Sequence, residues 1–222
     1  MKMLRVIAYL LVLTGSAFTA RAAYLHAKAG TAGMLIRRAW EHRVESGESS
    51  PAWPWADTHP IARLQIPRLH YDEIVLEGAS SRTMAFGPAR IFSGPKPGEP
   101  GNFLLAGHRT SWFRSLETVG LEDEISLEWF DVGRRELFER NYSVASINVV
   151  QPDAVGPWLA PTTDDALTLI TCFPFGASPR SPQRFIVRAV PIGPTHVATA
   201  QELHDTPVAA FWRKYEQAAF GH

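Results

Sequence analysis

The sequence predicts a mainly β protein, built as a barrel or a sandwich, with few helices. After Ile61 the chain divides into short segments rich in β-branched and aromatic residues, and turn residues separate them. The 222 residues include 17 prolines and 16 glycines, a loop-rich composition that favours a β protein over a helical bundle. This length is sufficient for one domain whose core needs no disulfide or metal support.

Seven strands are predicted between residues 61 and 190. They cover Ile61–Ile66, Glu73–Glu77, Asn102–Gly107, Glu124–Trp129, Glu136–Val150, Ala166–Thr171 and Phe185–Val190. The segment Glu136–Val150 is long enough for two strands or for one bent strand. Short helices are predicted at Ser81–Ala89 and Ser111–Val119, and apolar residues at helical spacing predict a helical tail over residues 194–222.

The amino-terminal segment has the pattern of an export signal. Lys2 and Arg5 precede an uncharged, largely apolar run over residues 6–20, which Arg21 closes. We interpret residues 1–25 as a retained transmembrane helix with its basic end in the cytoplasm, so that the rest of the chain lies outside it. This run of fifteen residues is short against the roughly 20 that span a bilayer. Cleavage near Ala22, which would release the protein, is the alternative.

Residues 26–60 are predicted to connect this segment to the β domain at residues 61–193. A helical stalk is expected as far as residue 45, because the composition favours helix and proline is absent. The following stretch, Ser46–Pro60, is rich in Ser and Pro and is interpreted as a linker. Its Trp53 and Trp55 are expected to pack on the domain as a strap rather than to bind a ligand.

Charge and motifs exclude several classes of function. Lys and Arg number 22, as do Asp and Glu, and this zero net charge gives no indication of nucleic-acid binding. No HExxH motif and no His/Cys pair at ligand spacing is present, so neither a metal nor a cofactor is expected. The acidic run Glu122–Glu124 is interpreted as a solvated turn rather than a calcium site.

Cys172 is the only cysteine, and it follows the predicted strand Ala166–Thr171. Alternation along that strand places Thr168, Ile170 and Cys172 on one face. Pro174 then interrupts regular pairing, so the thiol is expected at a rim. A buried structural cysteine is the alternative, because free cysteine is among the most buried residue types.

His108 and Arg184 also lie at strand ends. His108 follows an apolar strand and precedes a polar turn, and histidine is the usual side chain for moving protons near neutral pH. Arg184 begins the last predicted strand, and its planar guanidinium is suited to holding an oxyanion. Arg188 and Arg180 are alternatives for the same role. Together, a histidine and an arginine beside a thiol favour the thiolate and stabilise a tetrahedral intermediate.

These segments resemble the sortases, a family of cysteine transpeptidases. Residues 168–172 read TLITC and resemble the TLxTC signature of the family, and Gly107-His108 resembles its catalytic-histidine segment. Residues 183–187, QRFIV, resemble its arginine strand, and residues 61–67, IARLQIP, resemble its first strand. The order His, Cys, Arg is also that of the family.

Two further stretches resemble the Gram-negative subgroup, the class GN sortases. They are residues 93–98, SGPKPG, and residues 172–175, CFPF. Gly176 is a departure, because an acidic residue tends to stand there in relatives.

The resemblance implies a closed β-barrel of about eight strands with short helices. It further implies that Cys172 attacks the Thr–Gly bond of an LPXTG-like sorting signal at the carboxyl end of a protein substrate. His108 would act as acid and base, Arg184 would stabilise the oxyanion, and Thr171 would shape the substrate pocket. An amine acceptor would then receive the acyl group. The implied location is the inner membrane, with the catalytic domain outside the cytoplasm.

Two other functions fit parts of the sequence. A cysteine L,D-transpeptidase also combines export, β structure, Cys and His, but its S-H-G-C-like motif is absent. A catalytically silent sortase-like binding or assembly module is the alternative from another class. Reactivity of the Cys172 thiol distinguishes it from an enzyme.

Overall fold

The computed structural model describes residues 2–176 and 182–198, which form one long helix and an eight-stranded barrel. Helix α1 spans Lys2–Ser46, and the four-residue helix α2 spans Gly156–Leu159. The strands are β1 (Pro60–Ile66), β2 (Tyr71–Leu76), β3 (Ala89–Arg90), β4 (Asn102–Ala106), β5 (Glu124–Asp131), β6 (Glu136–Val150), β7 (Ala166–Phe173) and β8 (Gln183–Val197).

The strands close in the order β1-β2-β3-β4-β7-β8-β6-β5. Most neighbours are antiparallel, but β4 and β7 run parallel, as do β2 and β3 where they meet at Leu76 and Ala89. The parallel pair brings the carboxyl ends of β4 and β7 to the same end of the barrel. The expected closed barrel of about eight strands is therefore confirmed.

Alternation along the strands separates a barrel interior from an outer face. On β7, Leu167 and Leu169 belong to the interior cluster, and so do Phe185 and Val187 of β8. Thr168 and Arg188 lie on the opposite faces of these strands, where their side chains hydrogen-bond to each other. The predicted division of β8, with Arg184 on one face and Phe185 on the other, is confirmed.

The two short helices that the sequence predicts between the strands are not formed at their predicted lengths. The helix predicted over Ser81–Ala89 is wrong: only Thr83–Ala85 forms a 3₁₀ turn, and Ala89 opens β3. Pro88 has no N–H with which to continue a helix, and its carbonyl accepts a hydrogen bond from the N–H of Leu76 instead. The predicted helix over Ser111–Val119 is reduced to a 3₁₀ turn at Ser115–Thr118.

Strand β8 continues past the predicted domain end at residue 193. Its segment beyond Val190 pairs with β6 as far as Val197, despite the Gly193-Pro194 sequence. A shift of register between Glu139 and Asn141 of β6 accommodates these two residues. A second shift follows on β6, which is therefore one irregular strand of 15 residues rather than two strands.

The carboxyl-terminal part of α1 packs on the outer face of the barrel. Ile36 and Trp40 are 4% exposed and join an apolar cluster that includes Ile74 and Phe130. Beside them, the Arg37 guanidinium donates a hydrogen bond of 2.7 Å to the Asp72 carbonyl. The segment predicted as a stalk is part of helix α1, and the last turns of this helix pack on the domain.

Helix α1 ends at Ser46, and the next residue, Gly47, has the left-handed backbone conformation that glycine readily adopts. Gly47 has a φ of 79° and its N–H donates to the Arg43 carbonyl over 2.9 Å. In the linker that follows, Trp53 packs edge-on against Phe86 with ring centroids 5.1 Å apart, as expected of a strap. Trp55, in contrast, is 82% exposed.

The transmembrane helix predicted for residues 1–25 is not supported. Among the described residues, no helix combines the length and apolarity required to cross a bilayer. The predicted helical tail lies outside the described residues from residue 199 onward, and so does Arg180.

Candidate active site

Cys172 and Arg184 occupy directly paired positions on adjacent strands. Strands β7 and β8 are antiparallel, and their register sets Cys172 opposite Arg184 near the end of the pair. Directly opposite residues have Cβ atoms about 4.5–5.5 Å apart and project from the same face. The interior positions of Leu169 and Phe185 show that this face is the outer one. Cys172 and Arg184 are both half-buried.

His108 reaches the same place from the other neighbour of β7. The parallel register between β4 and β7 pairs Ala106 with Ile170, and the Gly107 N–H continues it by donating to the Ile170 carbonyl over 3.3 Å. His108 lies two residues after Ala106, and Cys172 lies two residues after Ile170. The predicted trio therefore meets at one end of the barrel, with His108 exposed.

The backbone at His108 is fixed by a buried phenylalanine. Phe113 is fully buried, and its N–H donates to the His108 carbonyl over 3.0 Å. A Cβ on Gly107 would lie 2.8 Å from the Phe113 ring, which is closer than real contacts permit. Glycine at position 107 thus lets the chain turn tightly over the ring and hold His108 at the rim.

Thr171 ties the histidine segment to the cysteine strand. Its side chain is 3% exposed, and its hydroxyl donates to the Gly107 carbonyl over 2.7 Å. This bond joins the residue before His108 to the residue before Cys172. The geometry gives Thr171 a positioning role, and its contact with substrate stays a prediction.

A second tie lies one residue beyond the trio. Arg109 is 8% exposed, and its guanidinium donates to the Pro174 carbonyl over 2.5 Å. It thereby joins the segment after His108 to the loop after Cys172. Sequence reasoning missed Arg109, because an arginine in a polar turn carries no signal that distinguishes it from a solvated one.

Aromatic packing holds the same loop against the barrel. Phe173 stacks on Phe185 with centroids 6.2 Å apart, and Phe175 meets Phe185 edge-on at 5.1 Å. Offset-stacked and edge-to-face pairs are the favoured arrangements of aromatic rings. Cys172 is thus the penultimate residue of β7, and the loop that follows the strand is held close to the barrel by partly buried aromatic side chains.

Arg188 lies on the same outer face of the barrel as Arg184, but it contacts α2. It lies four residues from Arg184, or roughly 13 Å along a strand. Its guanidinium donates to the Trp158 carbonyl over 2.8 Å and to the Thr168 hydroxyl over 3.3 Å. Burial lowers the pKa of Arg188 from its ordinary value. Arg188 thus holds α2 against the barrel and does not lie beside Cys172.

The trio has the parts that acyl transfer requires. A thiol supplies a nucleophile, an imidazole moves protons near neutral pH, and a guanidinium opposes negative charge on a carbonyl oxygen. The exposure of His108 and the partial exposure of Cys172 leave the site open to a polypeptide.

Known proteins with similar sequences and folds point to one family. Residues 64–192 match the sortase domain. Sortase D of Bacillus subtilis is 25% identical over 124 residues, which are 56% of this chain and 60% of that protein. This chain therefore spans less than two thirds of that relative's length.

Solved structures agree on the fold. A Clostridium perfringens sortase D5 transpeptidase aligns with a TM-score of 0.57 and 21% identity, over 74% of this chain and 99% of that one. Sortase A of Corynebacterium diphtheriae aligns with a TM-score of 0.53 and 27% identity, over 63% and 64%. The domain match covers more than half of the 222 residues. The chain belongs to the sortase family.

Proposed function

We propose that this protein is a cysteine transpeptidase that cleaves an LPXTG-like sorting signal between Thr and Gly and transfers the acyl group to an amine. The observation that carries the proposal is the pairing of Cys172 with Arg184 across β7 and β8, with His108 reached from β4. No other described position offers a thiol, because Cys172 is the only cysteine of the chain.

The first half-reaction forms a thioester. The Cys172 thiolate adds to the threonine carbonyl carbon, and Arg184 opposes the charge on the carbonyl oxygen. The tetrahedral intermediate collapses as the C–N bond breaks, and protonated His108 gives its proton to the departing glycine amine. The thioacyl enzyme and a peptide with a free amino terminus result.

The second half-reaction reverses these roles. An acceptor amine adds to the thioester carbonyl, and neutral His108 takes the proton that the amine loses. Breaking the C–S bond releases Cys172 and leaves a new amide. Water as acceptor gives hydrolysis instead.

Two finer assignments belong to the same proposal. The class GN assignment is supported by residues 93–98 and by the CFPF run at residues 172–175. A membrane-associated location outside the cytoplasm is supported by Lys2 and Arg5 before an apolar run. Protease accessibility of the barrel in spheroplasts of the native host, compared with lysed cells, tests that location.

Intact-mass spectrometry of the full chain tests the reaction. The protein is incubated with an LPXTG-type peptide, with and without an amine acceptor, beside Cys172→Ala. We expect a thioacyl adduct that the variant lacks, and cleavage between Thr and Gly. No adduct over a panel of sorting peptides, with Cys172 also inert to alkylation, would overturn the proposal in favour of a silent binding module.

A further inference from the structure

A recess of about 600 Å³ opens at the end of the barrel opposite Cys172. Cys172 lies near the carboxyl end of β7, whereas Thr195, which lines the recess, lies near the carboxyl end of the antiparallel strand β8. Ile61 at the start of β1 and Trp129 near the end of β5 line it too. The volume is within the range of small-ligand sites, and the proposed reaction makes no use of this end of the barrel.

One rim of the recess is formed by the SGPKPG stretch at residues 93–98, to which the proposed reaction gives no role. Arg90 holds this stretch, because its guanidinium donates to the Gly94 carbonyl over 2.8 Å. Gly98, with a φ of 82°, packs so closely on Trp129 that a Cβ would lie 2.5 Å from the indole nitrogen. The rim is therefore fixed in shape, as in most small-ligand sites.

Two of the charged side chains that line the recess are neutralised within its wall. The Arg90 guanidinium donates to the Glu77 carboxylate over 2.5 and 3.0 Å. Arg140 forms an ion pair with Asp165. Neither pair leaves a charge for a ligand to balance.

Two further carboxylates, those of Glu99 and Asp131, close turns at the rim. The Lys96 N–H donates to the Glu99 carboxylate over 2.7 Å, and the Arg134 N–H donates to the Asp131 carboxylate over 3.0 Å. Both acids are thus partly engaged by the backbone.

Three cations line the recess without an ion pair to any described residue: Arg43, Lys96 and Arg134. Lys96 and Arg134 are exposed, and the Arg134 guanidinium lies 5.3 Å from the centroid of the Phe138 ring. Arg43 is half-buried, and burial lowers its pKa, with Glu77 opposing this effect. A partly desolvated charge without a counter-ion is unfavourable. Since these cations also outnumber the two carboxylates of the rim, the recess favours an anion.

The remaining wall supplies apolar surface. Trp129 and Phe138 stack with ring centroids 5.9 Å apart, and Val132, which is 56% exposed, lies at the opening. A guanidinium binds the oxygens of a carboxylate or a phosphate in a bidentate manner. We propose that the recess binds a small amphiphile in which such an oxyanion, held by Arg43, is joined to an apolar body. This inference does not depend on the proposed transpeptidase function.

Isothermal titration calorimetry of the full chain with four probes tests the proposal. Hexyl phosphate and hexanoate share an apolar body and differ in the oxyanion, so their Kd values show which oxyanion the recess prefers. Hexylamine carries the same body with a positive charge, and inorganic phosphate has no body. We expect saturable binding of at least one hexyl anion and weaker binding of both other probes. If neither hexyl anion binds, or if hexylamine or inorganic phosphate binds equally well, the proposal is wrong.

Substitutions of the lining cations locate the binding. Arg43→Gln should raise the Kd of the tighter anion by about tenfold or more, the scale of a lost charged hydrogen bond. Lys96→Gln should raise it by about two- to fivefold, and its exposed side chain keeps the test decisive if Arg43→Gln fails to fold. Arg82→Gln removes the same charge from a side chain that is 78% exposed and outside the recess, so its Kd should equal that of the wild type. An unchanged Kd in either recess variant, or an equal rise in Arg82→Gln, contradicts the assignment.

Arg184→Ala separates this recess from the catalytic end of the barrel. Arg184 is also suited to hold an oxyanion, but it pairs with Cys172 on the neighbouring strand. Binding of the hexyl anion should be unchanged in this variant. Weakened binding would place the probe beside Cys172 and overturn the inference. If no thioacyl enzyme forms with any sorting peptide, the transpeptidase proposal fails alone, because calorimetry measures the recess without turnover.

Discussion

The Arg109 guanidinium donates a 2.5 Å hydrogen bond to the Pro174 carbonyl and so links the two loops that follow His108 and Cys172. Those loops leave parallel neighbouring strands, and the strand pairing reaches only to Gly107, one residue before His108. The distance between imidazole and thiol therefore depends on ties of this kind. Small errors in such placement are costly, since a displacement of about 1 Å can lower a rate by roughly 100-fold.

Arg109→Lys should reduce the rate of thioacyl formation by about tenfold or more while leaving the protein folded. Lysine keeps the charge but lacks the planar guanidinium that reaches Pro174. The measurement is single-turnover thioacyl formation by intact mass, with circular dichroism as the check on folding. Arg82→Lys is the control, because that side chain is 78% exposed. Equal rates in both variants would contradict a positioning role.

Substitution of Arg184 should lower activity, whereas substitution of Arg188 should lower stability. Arg184→Ala should lower thioacyl formation by at least about 100-fold, the scale of losing one oxyanion donor. Arg188→Ala should instead lower the free energy of unfolding by about 1–3 kcal/mol, because it removes charged hydrogen bonds to Trp158 and Thr168. Urea unfolding and peptide cleavage are measured on both variants. Comparable activity losses would refute the assignment of Arg184.

Sequence reasoning located the candidate trio because each member stands at a strand end. His108, Cys172 and Arg184 follow or begin runs that are apolar or alternate, and those runs became β4, β7 and β8. The spacing of apolar residues within such a run shows which side of the strand is buried, so the local sequence predicts these strands.

What holds the trio together was not predictable. The bonds of Thr171 to Gly107 and of Arg109 to Pro174 join residues 64 and 65 positions apart in the chain. Such contacts depend on which strands become neighbours, and local patterns carry no such information. Strand β3 was missed for a similar reason, since two residues are too few to show a period.

Gly107→Ala should both destabilise the protein and impair catalysis. The new Cβ would stand 2.8 Å from the buried Phe113 ring, and overpacking of this kind costs about 1–3 kcal/mol. Relief of the contact displaces His108, so thioacyl formation should fall as well. Gly156→Ala is the matched control, because a Cβ there meets nothing within 4 Å. If urea unfolding gave the same free energy of unfolding for both variants, the close approach of Gly107 to the Phe113 ring would be contradicted.

Glu73 should make the protein less stable as pH rises from about 4.5 to about 7. Desolvation by burial, with Arg37 lowering and Asp72 raising it, brings the pKa of Glu73 to about 7 from 4.5. Between these values the folded state holds a proton that the unfolded state has lost, so stability falls through this window.

Glu73→Gln removes the titration and should flatten this part of the pH profile. Relative to the variant, the wild type should lose up to about 3 kcal/mol between pH 4.5 and pH 8, at 1.36 kcal/mol for each pKa unit. The check is urea unfolding of both proteins at half-unit pH intervals, since the difference between the two curves isolates this carboxyl from the other titrating groups. A difference that stays constant with pH would show that Glu73 ionises at its ordinary pKa.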